Sequence, residues 1–160
     1  MKNKELVLIL VGSRNDLPDL KKATETLDAF GVPYALKVAS AHRTPDEVVK
    51  IVEHYTKKSV KVILAAAGLA NHLAGAAAAR TICPVIGIPL AKSPLGGLDS
   101  LFSTVQMPPG VPVAAVAING VQNAAILAVQ ILALSDAGLR RKLLKKRADM
   151  RKSILAASKT

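Results

Sequence analysis

The chain is short of aromatic rings, cysteine and acidic side chains, and each shortage removes a class of explanation. Its 160 residues include two tyrosines, two phenylalanines and no tryptophan. The core must therefore be built from Ala, Val, Leu and Ile, which suits close packing of helices on a sheet. A single-stranded nucleic-acid binder would want aromatic rings on which bases stack. Cys83 is the sole cysteine, which excludes an internal disulfide and a cysteine-based zinc site. Set between Ile82 and Pro84, it reads as a small buried hydrophobe. Met1 to Glu5 reads as a polar lead-in to a strand, with no secretory signal, so a cytoplasmic location is expected. The longest apolar stretch, Val111 to Leu134, is broken by Asn119, Gly120, Gln122, Asn123 and Gln130. It reads as a buried strand and helix, and no membrane partner is expected.

Acidic residues number 11 against 22 Lys and Arg, a formal net charge of +11. Arg140, Arg141, Lys142, Lys145, Lys146, Arg147, Arg151 and Lys152 form a cluster that could bind nucleic acid through its phosphates. However, Leu139, Leu143, Met150 and Ile154 recur at helical spacing, which describes an amphipathic helix with a solvated basic face. No nucleic-acid partner is expected. The positive field suits anionic small molecules, and a non-enzymatic basic domain is the least favoured reading.

What is abundant is alternation. Apolar strands are read at Glu5–Val11, Pro33–Ala39, Val60–Ala66, Pro84–Pro89 and Val113–Ile118. Helices are read at Leu17–Phe30, Pro45–Lys57, Asn71–Arg80, Leu98–Val105, Val121–Leu134 and Asp136–Ala157. Unbroken Val/Ile/Leu strands are typical of a parallel sheet buried on both faces. The reading is a single α/β domain over residues 1–160, a three-layer αβα sandwich with strand order 2-1-3-4-5 and a C-terminal helix. The run Ala74 to Ala79 has so little bulk that another backbone could approach it closely, either the sheet or a neighbouring subunit.

In that order the loops after strands one, two and three converge. They are Gly12-Ser13-Arg14-Asn15-Asp16, Ser40-Ala41-His42-Arg43 and Ala67-Gly68-Leu69-Ala70-Asn71-His72. Arg43 and the serines, with free N–H groups at helix starts, could hold a phosphate. Asp16 could accept from a ribose diol or cap the helix before Leu17-Pro18. His42 is the candidate general acid and base. His72 could border the reacting group or cap its own helix, and His54, within the second helix, reads as solvated or structural. Thr44, Pro45 and Glu47 have the spacing of a capping box. No metal-ligand spacing is present, and neither a P-loop, a GxGxxG after the first strand nor a GxSxG elbow occurs.

The ordered set of motifs resembles the PurE family of purine biosynthesis, whose members move a carboxyl group on aminoimidazole ribonucleotide (AIR). The likeness runs through Gly12-Ser13-x-x-Asp16, Ser40-Ala41-His42-Arg43-Thr44-Pro45 and Gly68-x-x-x-His72-Leu73. It continues in Gly97-Leu98-Asp99-Ser100-Leu101, Val105-Gln106-Met107-Pro108, Gly110-Val111-Pro112-Val113 and Asn123-Ala124-Ala125. The resemblance implies a flavodoxin-like fold, a homo-octamer and no cofactor. It implies His42 as the catalytic residue and Ser13, Asp16, Ser40, Arg43, Ala67, Gly68, His72 and Leu73 as substrate-binding residues. One branch rearranges N5-carboxy-AIR (N5-CAIR), supplied by an ATP-dependent synthetase, to 4-carboxy-AIR (CAIR); another carboxylates AIR directly with CO2. Arg43, where direct carboxylases tend to carry lysine, and His72 lean toward the first branch. Asn71 leans toward the second. Asn15, Ala74 and a short Asn119-Gly120-Val121-Gln122 turn also depart from the bacterial pattern.

Overall fold

Five short runs rich in Val, Ile, Leu and Ala make the sheet. In the computed structural model, which describes residues 4–158, they are β1 (Val7–Val11), β2 (Tyr34–Val38), β3 (Val62–Gly68), β4 (Val85–Leu90) and β5 (Ala114–Ala115). All neighbours are parallel and the order is β2-β1-β3-β4-β5, the flavodoxin-like order expected from the sequence. Val7 of β1 stands opposite Tyr34 on one side and Val62 on the other. Every residue of β1 and β4 is buried, because helices cover both faces of these strands.

The helices are α1 (Lys21–Phe30), α2 (Pro45–Thr56), α3 (Leu73–Ala78), α4 (Leu98–Val105), α5 (Val121–Leu132) and α6 (Ala137–Ala157). Alternation along β1 splits the core in two. Val7 and Ile9 pack with Leu27 of α1, Ala124 and Ala128 of α5 and Leu139 of α6. Leu8 and Leu10 pack with Val48 and Val52 of α2 and Leu73, Ala74 and Ala77 of α3. Helix α4 joins this second layer. A Cβ on Gly87 of β4 would fall 2.3 Å from Thr104 Cγ2 and 3.2 Å from Ala74 Cβ. The bulk missing from Ala74 and Ala77, both fully buried, thus brings α3 down on the sheet.

Several local expectations change. The first helix begins as a 3-10 segment, Arg14–Leu20, before α1, since Pro18 has no N–H to give. Ser13 caps it by accepting from Asn15 N at 3.2 Å, so Asp16 lies inside the segment and is not its cap. The capping box is not made: Thr44 forms no side-chain cap bond. Its Oγ1 instead accepts from Ser40 N at 3.0 Å and donates to Ser40 O at 3.2 Å. Helix α3 is shorter than read, because Leu69 has φ 55° and His72 N donates to Ala70 O at 2.8 Å, a turn that delays the helix. Strand β5 keeps two residues of the six read for it. It is an edge strand with one neighbour, and Asn119 (φ 55°) turns the chain soon after. Cys83 is half-buried, its Sγ 3.4 Å from Val60 O, not in the core. In α6, Leu139 and Leu143 meet the core, but Met150 and Ile154 are 60% and 69% exposed. Among the described residues no helix is long and apolar enough to cross a membrane.

Candidate active site

Because β1 lies between β2 and β3, the loops leaving their carboxyl ends surround one space. Ser13 and Asp16 from the first loop, Ser40, His42 and Arg43 from the second, and Ala67, Gly68 and Leu73 from the third line a cavity of about 640 Å³. Each loop is held by local bonding. Gly12 N donates to Ala66 O at 3.0 Å, so the first loop starts flush against β3. A Cβ on Gly12 would stand 3.1 Å from that of Ala67.

Asp16 is only 7% exposed. Burial pushes its carboxyl pKa up; Lys92 and Arg43 pull it down, Asp19 pushes it further up, and the net direction is upward. In the second loop, Ser40 Oγ accepts from Arg43 N at 3.2 Å and from Arg43 Nε at 3.3 Å. Arg43 Nη2 donates to Gly12 O at 3.1 Å. The guanidinium is thereby tied across two strands, with further N–H donors left for an anion.

His42 Nε2 lies 2.7 Å from His72 Nδ1, and the rings meet edge-on at 77° with centroids 4.9 Å apart. At that separation one nitrogen carries the proton and the other accepts it. His72 itself is exposed and does not line the cavity; it reaches the site through His42. It occupies the N-cap position of α3 without a side-chain cap bond. His54 is exposed, edge-on to Tyr55 and remote from the cavity.

Lys92 lines the same cavity and lies outside the three loops that the sequence pattern singles out. The signal was present: Lys92 follows β4, which the strand order sets beside β3. Its Nζ pairs with Asp19 Oδ2 at 2.5 Å, and that hydrogen bond raises the lysine pKa. The stem of Lys92 runs over Gly68, where a Cβ would sit 2.6 Å from both Lys92 Cβ and Cγ. The site thus combines two cations, a buried acid and a histidine pair at one rim, a set able to bind a phosphorylated sugar and move a proton.

A family model described as AIR carboxylase matches residues 6–153. The chain belongs to the AIR carboxylase family. The match takes in every loop that lines the cavity. Among its relatives, the N5-carboxyaminoimidazole ribonucleotide mutase of Bacillus subtilis is 47% identical, with 96% of each chain covered. The mutase of the same name from Pyrococcus abyssi is 48% identical, covering 90% of this chain and 83% of that one. Crystal structures agree in fold. Treponema denticola PurE superposes with a TM-score of 0.87 at 28% identity, covering 95% of each chain. A single-substitution form of Treponema denticola PurE2 gives 0.88 at 29% identity, covering 99% of each. The AIR carboxylase family and the parallel 2-1-3-4-5 sheet are therefore both established for this chain.

Proposed function

We propose that the protein is an N5-carboxyaminoimidazole ribonucleotide mutase, acting in purine (IMP) biosynthesis with His42 as a general acid and base and with no cofactor. Mutases of that name match nearly the whole chain at 45 to 48% identity. The observation that carries the mechanism is the placement of His42, backed by His72, on a cavity also lined by Arg43 and Asp16.

Arg43, Ser13 and Ser40 hold the nucleotide phosphate, and Asp16 accepts from the ribose diol. His42 donates a proton to the carbamate nitrogen of N5-CAIR, and the N–CO2 bond breaks to give AIR and CO2. The electron-rich C4 attacks the trapped CO2, forming the new C–C bond. His42, now neutral, removes the C4 proton and regains its starting state, so the reaction is a net isomerisation. Holding CO2 against C4 makes recapture effectively intramolecular. Backbone N–H groups around Ala67 and Gly68 steady the carboxylate, and Leu73 adds an apolar wall.

The working form is a cytoplasmic homo-octamer whose substrate comes from an ATP-dependent N5-CAIR synthetase. Exposed apolar side chains on α4 (Leu98, Phe102, Val105) and α6 (Leu144, Met150, Ile154, Leu155) support assembly. Purified protein given N5-CAIR at low bicarbonate is expected to form CAIR rapidly. Turnover of AIR with bicarbonate alone would instead assign direct carboxylation. His42→Asn is expected to keep nucleotide binding and lose turnover by more than about a hundredfold; retained turnover rejects His42 as the proton carrier.

A further inference from the structure

The segment from Ala67 to His72 is held by the sheet at its start, where Ala67 and Gly68 stand opposite Pro89 and Leu90 of β4, and has few restraints beyond it. It leaves β3 at Gly68, passes through Leu69 in the left-handed region, and closes on Ala70 just before a six-residue helix. Two hydroxyls on α4 grip it at both ends. Ser100, fully buried, donates from Oγ to Ala67 O at 2.8 Å. Ser103 Oγ donates to Asp99 O at 2.7 Å within its own helix and accepts from Asn71 N at 2.8 Å. Residues three apart share one helix face, so both hydroxyls point at the same loop.

Asn71 has little other hold. It is fully buried, its Nδ2 reaches Ile88 O only at 3.5 Å, and its Oδ1 has no donor. The backbone bond to Ser103 therefore fixes the residue directly before His72. Helix α4 is itself fixed by close packing. Thr104 sits over Gly87 of β4, and a Cβ on Gly97 would meet Ile118 Cγ2 at 2.6 Å and Ala91 Cα at 3.2 Å.

We infer that Ser100 and Ser103 are positioning residues that set the Ala67–His72 loop and thereby hold the His72 ring against His42. Neither serine lines the cavity, so each acts through the loop. Resting on the reading that His42 carries the proton, the inference assigns α4 the task of keeping the histidine pair in register. Selectively 15N-histidine-labelled protein tests it without substrate, with exposed His54 as the internal control. In Ser100→Ala and Ser103→Ala the ring-nitrogen signals of His42 and His72 are expected to move toward unbonded positions, while Ser103→Thr, which keeps the hydroxyl, retains the parent signals. With N5-CAIR, the alanine variants are expected to lose on the order of ten- to a hundredfold in kcat, with KM held within about threefold.

Parent ring signals in both folded alanine variants overturn the inference. So does a lost signature in Ser103→Thr, since packing and not the hydroxyl would then set the ring. Should Ser103→Ala fail to fold, Ser100→Ala carries the same test from the other end of the loop. A parent protein with paired ring signals but no N5-CAIR turnover overturns the mutase reading and leaves the positioning role standing.

Discussion

Asp16 is an acid whose burial disfavours its charged form. Burial is the main cause of its raised pKa, so the folded chain holds this proton to higher pH than the unfolded chain does. The stability it contributes is greatest below the unfolded value near 3.8 and falls as pH rises through the folded value. Asp16→Asn is therefore expected to melt higher than the parent at neutral pH, an advantage that fades as pH drops toward 3.8. Its nucleotide affinity should fall at the same time. Melting curves at the two pH values check this, and an advantage independent of pH would reject ionisation as its source. Gly68 is a matter of space. Gly68→Ala drives a methyl into the rigid start of the Lys92 stem and is expected to cost roughly 1–3 kcal/mol and to weaken anion binding. Denaturant unfolding and nucleotide titration read the two effects separately.

At the scale of elements, α6 depends on its first turn. Asp136 Oδ1 accepts from Gly138 N at 2.7 Å and Leu139 N at 3.0 Å, and Lys142 Nζ donates to Phe30 O at 2.6 Å at the end of α1. Asp136→Ala is expected to cost about 1 kcal/mol, a fall in Tm of roughly 2–4 °C for a chain of this size. An unchanged melt would mean that the cap carries no net stability. The elements that read cleanly from sequence were those with a strong local cause. Strands β1 and β4 are unbroken apolar runs, Gly31 closes α1 in the left-handed region (φ 70°), and Pro45 opens α2. Those that shifted depended on distant partners. The length of β5 is set by having one neighbour, and Thr44 turned from α2 toward Ser40 because the loop's own backbone competed for its hydroxyl. The same holds for the site. Its three loops were legible from strand order, while the serines of α4 act across 32 and 33 residues of sequence and Lys92 pairs with the distant Asp19, which no local pattern records.

For the molecule as a whole, the unpartnered stripe on α6 bears on assembly. Ile154→Asp is expected to lower the assembled mass in sedimentation while helicity is kept; an unchanged mass removes that face as a contact. The aromatic shortage has a practical side. Leu69 stands at the cavity mouth, 60% exposed, in a left-handed backbone geometry that a side chain already occupies. With no native indole anywhere in the chain, Leu69→Trp would supply the lone indole, excited selectively at wavelengths where the two tyrosines do not absorb. Its emission should change as nucleotide enters and stay constant with inorganic salt, giving the enzyme an optical gauge of occupancy that needs no label.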